Sequence, residues 1–207
     1  MNGPKRIAVL GCPGSGKTTY ATVLAKRTGL PLHHLDDEYW GPGWTRPDPG
    51  TWQVRLAELV AGSGWIIDGN YLPSVPVRAR HADLVVLVDT ATATCLWRAV
   101  RRARRIGAGN HDQLPARVRA QAHAGLPVRA TKDFAALLRM IVRFRRRDWW
   151  QVLDAARAHG TADVVVAVTP GRFRDRLRCV RRRLARRGVA VPVRPVNLEA
   201  DREESES

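Results

Sequence analysis

The chain has 207 residues, 44% of them hydrophobic, and a net charge of +16 carried by 31 Arg and 4 Lys against 19 acidic residues. That length and apolar content suit one α/β domain with a sizeable core, and no window approaches the roughly 18 apolar residues of a membrane span. The first strand begins too early to leave room for a cleaved signal peptide, and Cys12, Cys95 and Cys179 are widely spaced, which argues for reduced thiols in a cytoplasmic protein and against a zinc site.

In chain order, Lys5–Leu10 reads as the first strand and Lys17–Thr28 as the first helix, stopped by Gly29. Between them lies Gly11-Cys12-Pro13-Gly14-Ser15-Gly16-Lys17-Thr18-Thr19, which contains G-x-x-x-x-G-K-[ST] in a strand–loop–helix setting. Gly11, Gly14 and Gly16 allow the backbone to curl so that N–H groups of Pro13's neighbours, Ser15 and the following residues face phosphate oxygens, and the helix start adds its positive dipole end. Lys17 is then expected at the β- and γ-phosphates, and Thr18 on Mg²⁺. These residues predict binding of a nucleoside triphosphate. Cys12 sits inside this loop, where a lowered thiol pKa is one expectation and a tolerated variable position the other.

Leu32–Leu35 reads as a short second strand ending at Asp36-Asp37-Glu38, followed by a Trp-, Gly- and Pro-rich loop (39–50) and a helix over 51–61. Trp65–Ile67 leads into Asp68-Gly69-Asn70 as strand three, and Leu84–Val88 is an unbroken apolar run, as a buried parallel strand requires. A helix over 91–105 comes next, then a stretch rich in Gly, Asn, His, Asp and Pro (107–127) without periodicity. One long helix is expected over 132–159, a last strand at Val164–Val168 and a final helix over 172–187, with an acidic, disordered tail over 189–207. Alternating strands and helices predict a doubly wound parallel sheet with ligands at the strands' carboxyl ends.

That rule singles out strand-end carboxylates. Asp68 is the expected metal-side residue, with a turn or cap role as the alternative, and Asp36 the acceptor-side residue, with Asp37 and Glu38 able to substitute. Asp89, at the end of strand four, reads better as a helix cap. Arg98 and Arg102 share a helix face, as do Arg101 and Arg105, and Arg139, Arg143 and Arg147 fall on one face of the later helix. Trp40, Trp44 and Trp52 either stack on a base or fill a small core.

The runs Ile-Ala-Val-Leu-Gly-Cys-Pro-Gly-Ser-Gly-Lys-Thr-Thr, Leu-Pro-Leu-His-His-Leu-Asp with Tyr39-Trp40 and Pro42-Gly43-Trp44, Trp-Ile-Ile-Asp-Gly-Asn-Tyr, and Cys95-Leu-Trp-Arg-Ala-Val-Arg-Arg resemble the adenylate kinase-related P-loop proteins labelled topology modulation proteins. The likeness covers about residues 5 to 188. It implies a five-stranded parallel sheet of order 2-3-1-4-5 between helical layers, an acceptor-binding segment over about 36–64 and a lid over about 107–127. It also implies ATP and Mg²⁺ as cofactors, Arg98 and Arg102 as phosphate contacts, and Thr169-Pro170-Gly171 beside the adenine. Adenylate kinases follow the strand-three Asp-Gly with Phe-Pro-Arg, whose arginine grips the nucleoside monophosphate. This chain has Asn70-Tyr71-Leu72 there, with Arg78 and Arg80 further on, so the acceptor is open. Two functions follow: transfer of the γ-phosphoryl group of ATP to a nucleotide or other small acceptor, or an ATP-dependent nucleic-acid-binding activity, which the basic charge permits although no reader motif is present.

Overall fold

The computed structural model describes residues 3–158, 162–168 and 173–195. Its first elements are β1 (Arg6–Gly11), α1 (Lys17–Thr28), β2 (Leu32–His34), α2 (Leu35–Tyr39), α3 (Pro49–Ala61), β3 (Trp65–Asp68), α4 (Val75–His81) and β4 (Leu84–Asp89). There follow α5 (Thr92–Gly107), α6 (Ala116–His123), α7 (Phe134–Phe144), α8 (Asp148–Ala158), β5 (Asp163–Val168), α9 (Phe173–Ala185) and β6 (Val193–Pro195). All neighbouring strands pair in parallel, in the order β2-β3-β1-β4-β5-β6.

The continuous apolar runs are buried on both faces, as a parallel sheet demands. Ile7, Val9, Ile66, Val86 and Val88 turn to one side and pack with Ala21 and other residues of α1. Ala8, Leu10, Ile67, Val85 and Leu87 turn to the other, against residues of α3, α4, α5, α7, α8 and α9. The result is an α/β/α sandwich whose phosphate-loop edge carries the carboxyl ends of all the strands. Among the described residues, no helix is long and apolar enough to cross a membrane.

Four boundaries differ from the sequence reading. The sheet has six strands, not five: Val193–Pro195 pairs with Val166–Val168, because an outermost strand tolerates the prolines that read as breakers. Residues 196–207 lie outside the described residues. Leu35 opens α2 rather than closing β2, and Asp36, Asp37 and Glu38 occupy its first turn, where carboxylates complement the helix dipole. The single helix expected over 132–159 is two. Arg146 and Arg147 both donate their N–H to the Arg143 carbonyl, a tightened turn that ends α7, and Arg143 pairs across the break with buried Asp148 at 3.5 Å. Finally, α6 lies within the 107–127 segment.

Asp83 fastens the start of β1 to that of β4. It accepts hydrogen bonds from the N–H groups of Lys5 and Arg6 at 3.0 and 2.9 Å, and from the Arg6 guanidinium at 2.8 Å. The Arg6 side chain, helped by these N–H groups and opposed by burial, holds the Asp83 carboxyl below its ordinary 3.8. A depressed acid stabilises the fold above its unfolded value, and that contribution disappears as pH falls through the folded value. Asp83→Asn should therefore lower the melting temperature at pH 7 by a few degrees and narrow the gap to wild type as pH drops below 3.8. Calorimetry across pH 2–7 checks this; a gap that stays constant would refute it.

Candidate functional site

At the carboxyl edge, residues 12–16 form a tight loop between β1 and α1. Gly14 and Gly16 have φ of +80° and +89°, where side chains are strained. A Cβ on Gly14 would also lie 2.6 Å from the Cys95 carbonyl oxygen, and one on Gly11 would lie 2.8 Å from Ser15 Oγ and the Val88 carbonyl oxygen. These glycines are fixed by close packing as well as by φ. Ser15 is fully buried, its N–H donates to the Cys12 carbonyl at 2.9 Å, and the Ser15 carbonyl accepts from Thr90 Oγ1 at 2.8 Å. Pro13, Gly16, Lys17 and Thr19 are half-exposed and Thr18 is exposed, so the loop's inner rim and the start of α1 remain open to a ligand.

Asp68 ends β3 beside this loop and is only 4% exposed. The parallel register sets His34, the last residue of β2, opposite it. His34 Nδ1 lies 3.2 Å from Asp68 Oδ2. Burial alone would raise the Asp68 carboxyl, but Lys17, the His34 hydrogen bond and the nearby Thr18 hydroxyl outweigh it and hold the group below 3.8. The same hydrogen bond raises His34 above 6.5, against the effect of its own burial. Oδ1 of Asp68 is buried and has no hydrogen-bond partner among the described residues. A deprotonated, orphaned carboxylate oxygen near the Thr18 hydroxyl fits a Mg²⁺ ion, which takes one or two protein oxygens and fills its shell with water and phosphate. Among the described residues no group of three or more His, Cys, Asp or Glu could form a dedicated metal cage.

The next residue, Gly69, has φ +149°, and a Cβ there would come within 2.5 Å of Leu35 Cβ. Its carbonyl accepts from Arg78 Nη1 at 2.9 Å, and the Tyr71 carbonyl from Arg78 Nη2 at 3.4 Å. Arg78 is fully buried under this loop. It is a positioning residue, and nothing in the local sequence announced that role.

Helix α5 turns Arg98 and Arg102 inward, both half-buried. Arg98 Nη1 donates to the Gly14 carbonyl at 3.2 Å. Burial lowers the Arg102 guanidinium below its ordinary value while the charge of Asp36 pulls it back up. Arg101 and Arg105 are exposed, and Arg101 lies over the Trp97 ring at 5.2 Å. Asp36 itself is exposed in the first turn of α2, near enough for its charge to act on Arg102.

The 36–64 and 107–127 segments are packed together. Leu114 and Val118 join Ile106 in a small core against Trp40 and Trp44. Asp37 Oδ1 accepts from the Ala116 N–H at 2.6 Å, Gly43 N–H donates to Gln121 Oε1 at 2.6 Å, and Trp44 Nε1 donates to the Arg129 carbonyl at 3.1 Å. Trp52 is core, 6% exposed and edge-on to Tyr39 at 5.0 Å. Trp40 and Trp44 are half-buried, 5.4 Å apart.

Other expectations separate from the site. The N-cap position of α5 is Ala91, so Asp89 does not cap that helix. The Cys12 thiol is raised, not lowered, by a hydrogen bond with Cys95 and by burial. Arg139, Arg143 and Arg147 do not share one helix, since α7 ends at Phe144; Arg139 is exposed and 3.9 Å from Asp133. Thr169-Pro170-Gly171 lies outside the described residues.

No family model matches the sequence. Over 129 residues the chain is 31% identical to an adenylate kinase of Gloeobacter violaceus, across 47% of this chain and 58% of that protein. The chain thus matches little more than half the length of that relative. Among solved structures, the unliganded crystal structure of a sugar kinase from a Janibacter species is 21% identical with a TM-score of 0.38, covering 74% of this chain and 98% of that one.

Proposed function

We propose that the protein is a cytoplasmic, ATP- and Mg²⁺-dependent phosphotransferase that moves the γ-phosphoryl group to a small acceptor. The convergence of the phosphate nest, the orphaned Asp68 Oδ1 and the inward pair Arg98 and Arg102 at one sheet edge carries this reading. The partial likeness to an adenylate kinase supports it. In this assignment Gly11, Gly14, Ser15 and Gly16 supply the backbone cradle, with Pro13 and Thr19 at its rim. Thr18 and Asp68 would hold Mg²⁺, which when bound neutralises charge on the phosphate oxygens. Lys17 stabilises the transferring group, Arg98 is fixed on the loop through the Gly14 carbonyl, and half-buried Arg102 lies one turn further along the same helix. Phosphoryl transfer asks for positioning and charge more than covalent chemistry, and these residues offer both.

The direct test is ADP release from Mg-ATP, alone and with a panel of nucleoside monophosphates, nucleosides and small hydroxyl compounds. Stimulation by one acceptor class is the expected outcome. One observation favours a second reading, the nucleic-acid-binding activity carried by the topology modulation label. Arg178, Arg182, Arg183, Arg186 and Arg187 line a groove of about 640 Å³ with Trp150, and Arg183 and Arg187 lie over that ring at 4.8 and 4.2 Å. Such a surface suits phosphodiesters. Slow ATP hydrolysis that DNA stimulates and no small acceptor does would favour it.

A further inference from the structure

The acceptor segment is acidic in a strongly basic chain. Residues 36–64 hold Asp36, Asp37, Glu38, Asp48 and Glu58 against Arg46 and Arg55, five acids to two bases, a net −3; with +16 overall, the remainder carries +19. A nucleoside monophosphate would bring its phosphate here and need cations to meet it.

The two arginines of the segment, Arg46 and Arg55, and the buried Arg78 are already engaged. Arg55 bonds Glu38 and Glu58 at 2.9 and 3.0 Å. Arg46 lies over the Trp40 ring at 6.0 Å. Arg78 is buried and gives its donors to the Gly69 and Tyr71 carbonyls. Arg80 is exposed, two residues on from Arg78 and so roughly 200° around α4. On the donor side, Arg98 is held on the Gly14 carbonyl.

The carboxylates divide differently. Glu38 and Glu58 are paired with Arg55, while Asp37 and Asp48 accept backbone N–H groups at 2.6 and 2.9 Å. Asp36 is exposed, its side chain makes no hydrogen bond among the described residues, and it lies near enough for its charge to act on Arg102, which is half-buried on α5. Half-buried Trp40 and Trp44 give the same segment an apolar flank, suited to the C–H faces of a hydroxylated molecule.

We infer that the acceptor is a hydroxyl compound free of phosphate and carboxylate, neutral or cationic, presented to Asp36 by the Trp40–Trp44 segment. This inference rests on the phosphotransferase reading. The acceptor hydroxyl oxygen bonds to the γ-phosphorus as the bond to the β,γ-bridging oxygen breaks. ADP leaves with that electron pair, and the hydroxyl proton passes to the Asp36 carboxylate and on to solvent. An acceptor phosphate, already ionised at neutral pH, would have no proton to give.

The test compares glucose, glucosamine, glycerol and myo-inositol with AMP, GMP, CMP and UMP, following ADP release and the new phosphate ester by ³¹P NMR, with Mg-ATP binding measured separately. The expected result is at least about tenfold stimulation by a phosphate-free compound and none by the monophosphates. Asp36→Asn should then cut that stimulated rate about 100-fold or more, the scale of a lost general base, with Mg-ATP affinity unchanged. Stimulation by a nucleoside monophosphate overturns the inference and leaves the phosphotransferase reading standing. Mg-ATP binding without stimulation by any compound of either set overturns both.

Discussion

If the proposed transfer is the activity, Lys17→Ala should lower acceptor-stimulated ADP release by about 10²–10³-fold, the cost of removing one preorganised charge donor from a transition state. It leaves the melting temperature within about 2 °C of wild type. Lys17 is the first residue of α1 and is half-exposed. A cation at a helix N-terminus opposes the dipole, and alanine is the better helix former, so both local terms favour the variant. Against them stands the loss of the Lys17 charge beside Asp68, whose carboxyl keeps its His34 partner at 3.2 Å. These small terms nearly cancel in the folded protein, whereas in transfer nothing replaces the ammonium at the phosphates. Turnover within threefold of wild type, with thermal unfolding unchanged, would remove Lys17 from the assignment.

What was legible in the sequence was local. The phosphate loop, its flanking strand and helix, and the apolar runs at 65–68 and 84–89 each carry their signal within a dozen residues, and α1 spans Lys17–Thr28 as read. Misreadings occur where distant packing overrides the local pattern. Val193–Pro195 looks like a proline-broken tail until β5 offers it an edge. The 107–127 stretch shows no periodicity because α6 is eight residues long and buries only Val118, with Leu114 before it. In the site, Asp68 was visible as a strand-end acid, but His34 became its partner only through the β2–β3 register. Helical spacing alone allowed two arginine registers, and only the resemblance favoured Arg98 and Arg102; in the structure Arg98 contacts the Gly14 carbonyl while Arg101 is exposed. Arg78 and Arg80 lie further on from the place of the missing acceptor-gripping arginine, and Arg78 turns out to be buried on the Gly69 and Tyr71 carbonyls.

That placement makes Arg78 the side chain whose loss should unfold the site first. Burial pulls its guanidinium down to about 10, with Asp68 pulling the other way, so the charge itself is held at a cost that methionine would relieve. The carbonyls decide the sign. Arg78→Met keeps most of the volume but leaves Gly69 O without its 2.9 Å donor and Tyr71 O without its 3.4 Å donor. A stranded buried acceptor costs roughly 1–3 kcal/mol, and the relieved desolvation offsets only part of two such losses. A net loss of about 3 kcal/mol corresponds to a fall of about 6–12 °C in melting temperature for a chain of this size. Arg78→Lys should not rescue it, because an ammonium on a flexible stem lacks the planar fork that reaches two carbonyls at once. Since Gly69 follows Asp68 directly, the loosened turn also displaces the carboxylate, so the Mg²⁺ concentration needed for half-maximal ADP release should rise in the variant at temperatures where it is still folded. Thermal unfolding with a magnesium titration of turnover separates the two effects. A melting temperature within 2 °C of wild type would mean that water satisfies both carbonyls and that Arg78 is not what holds the turn.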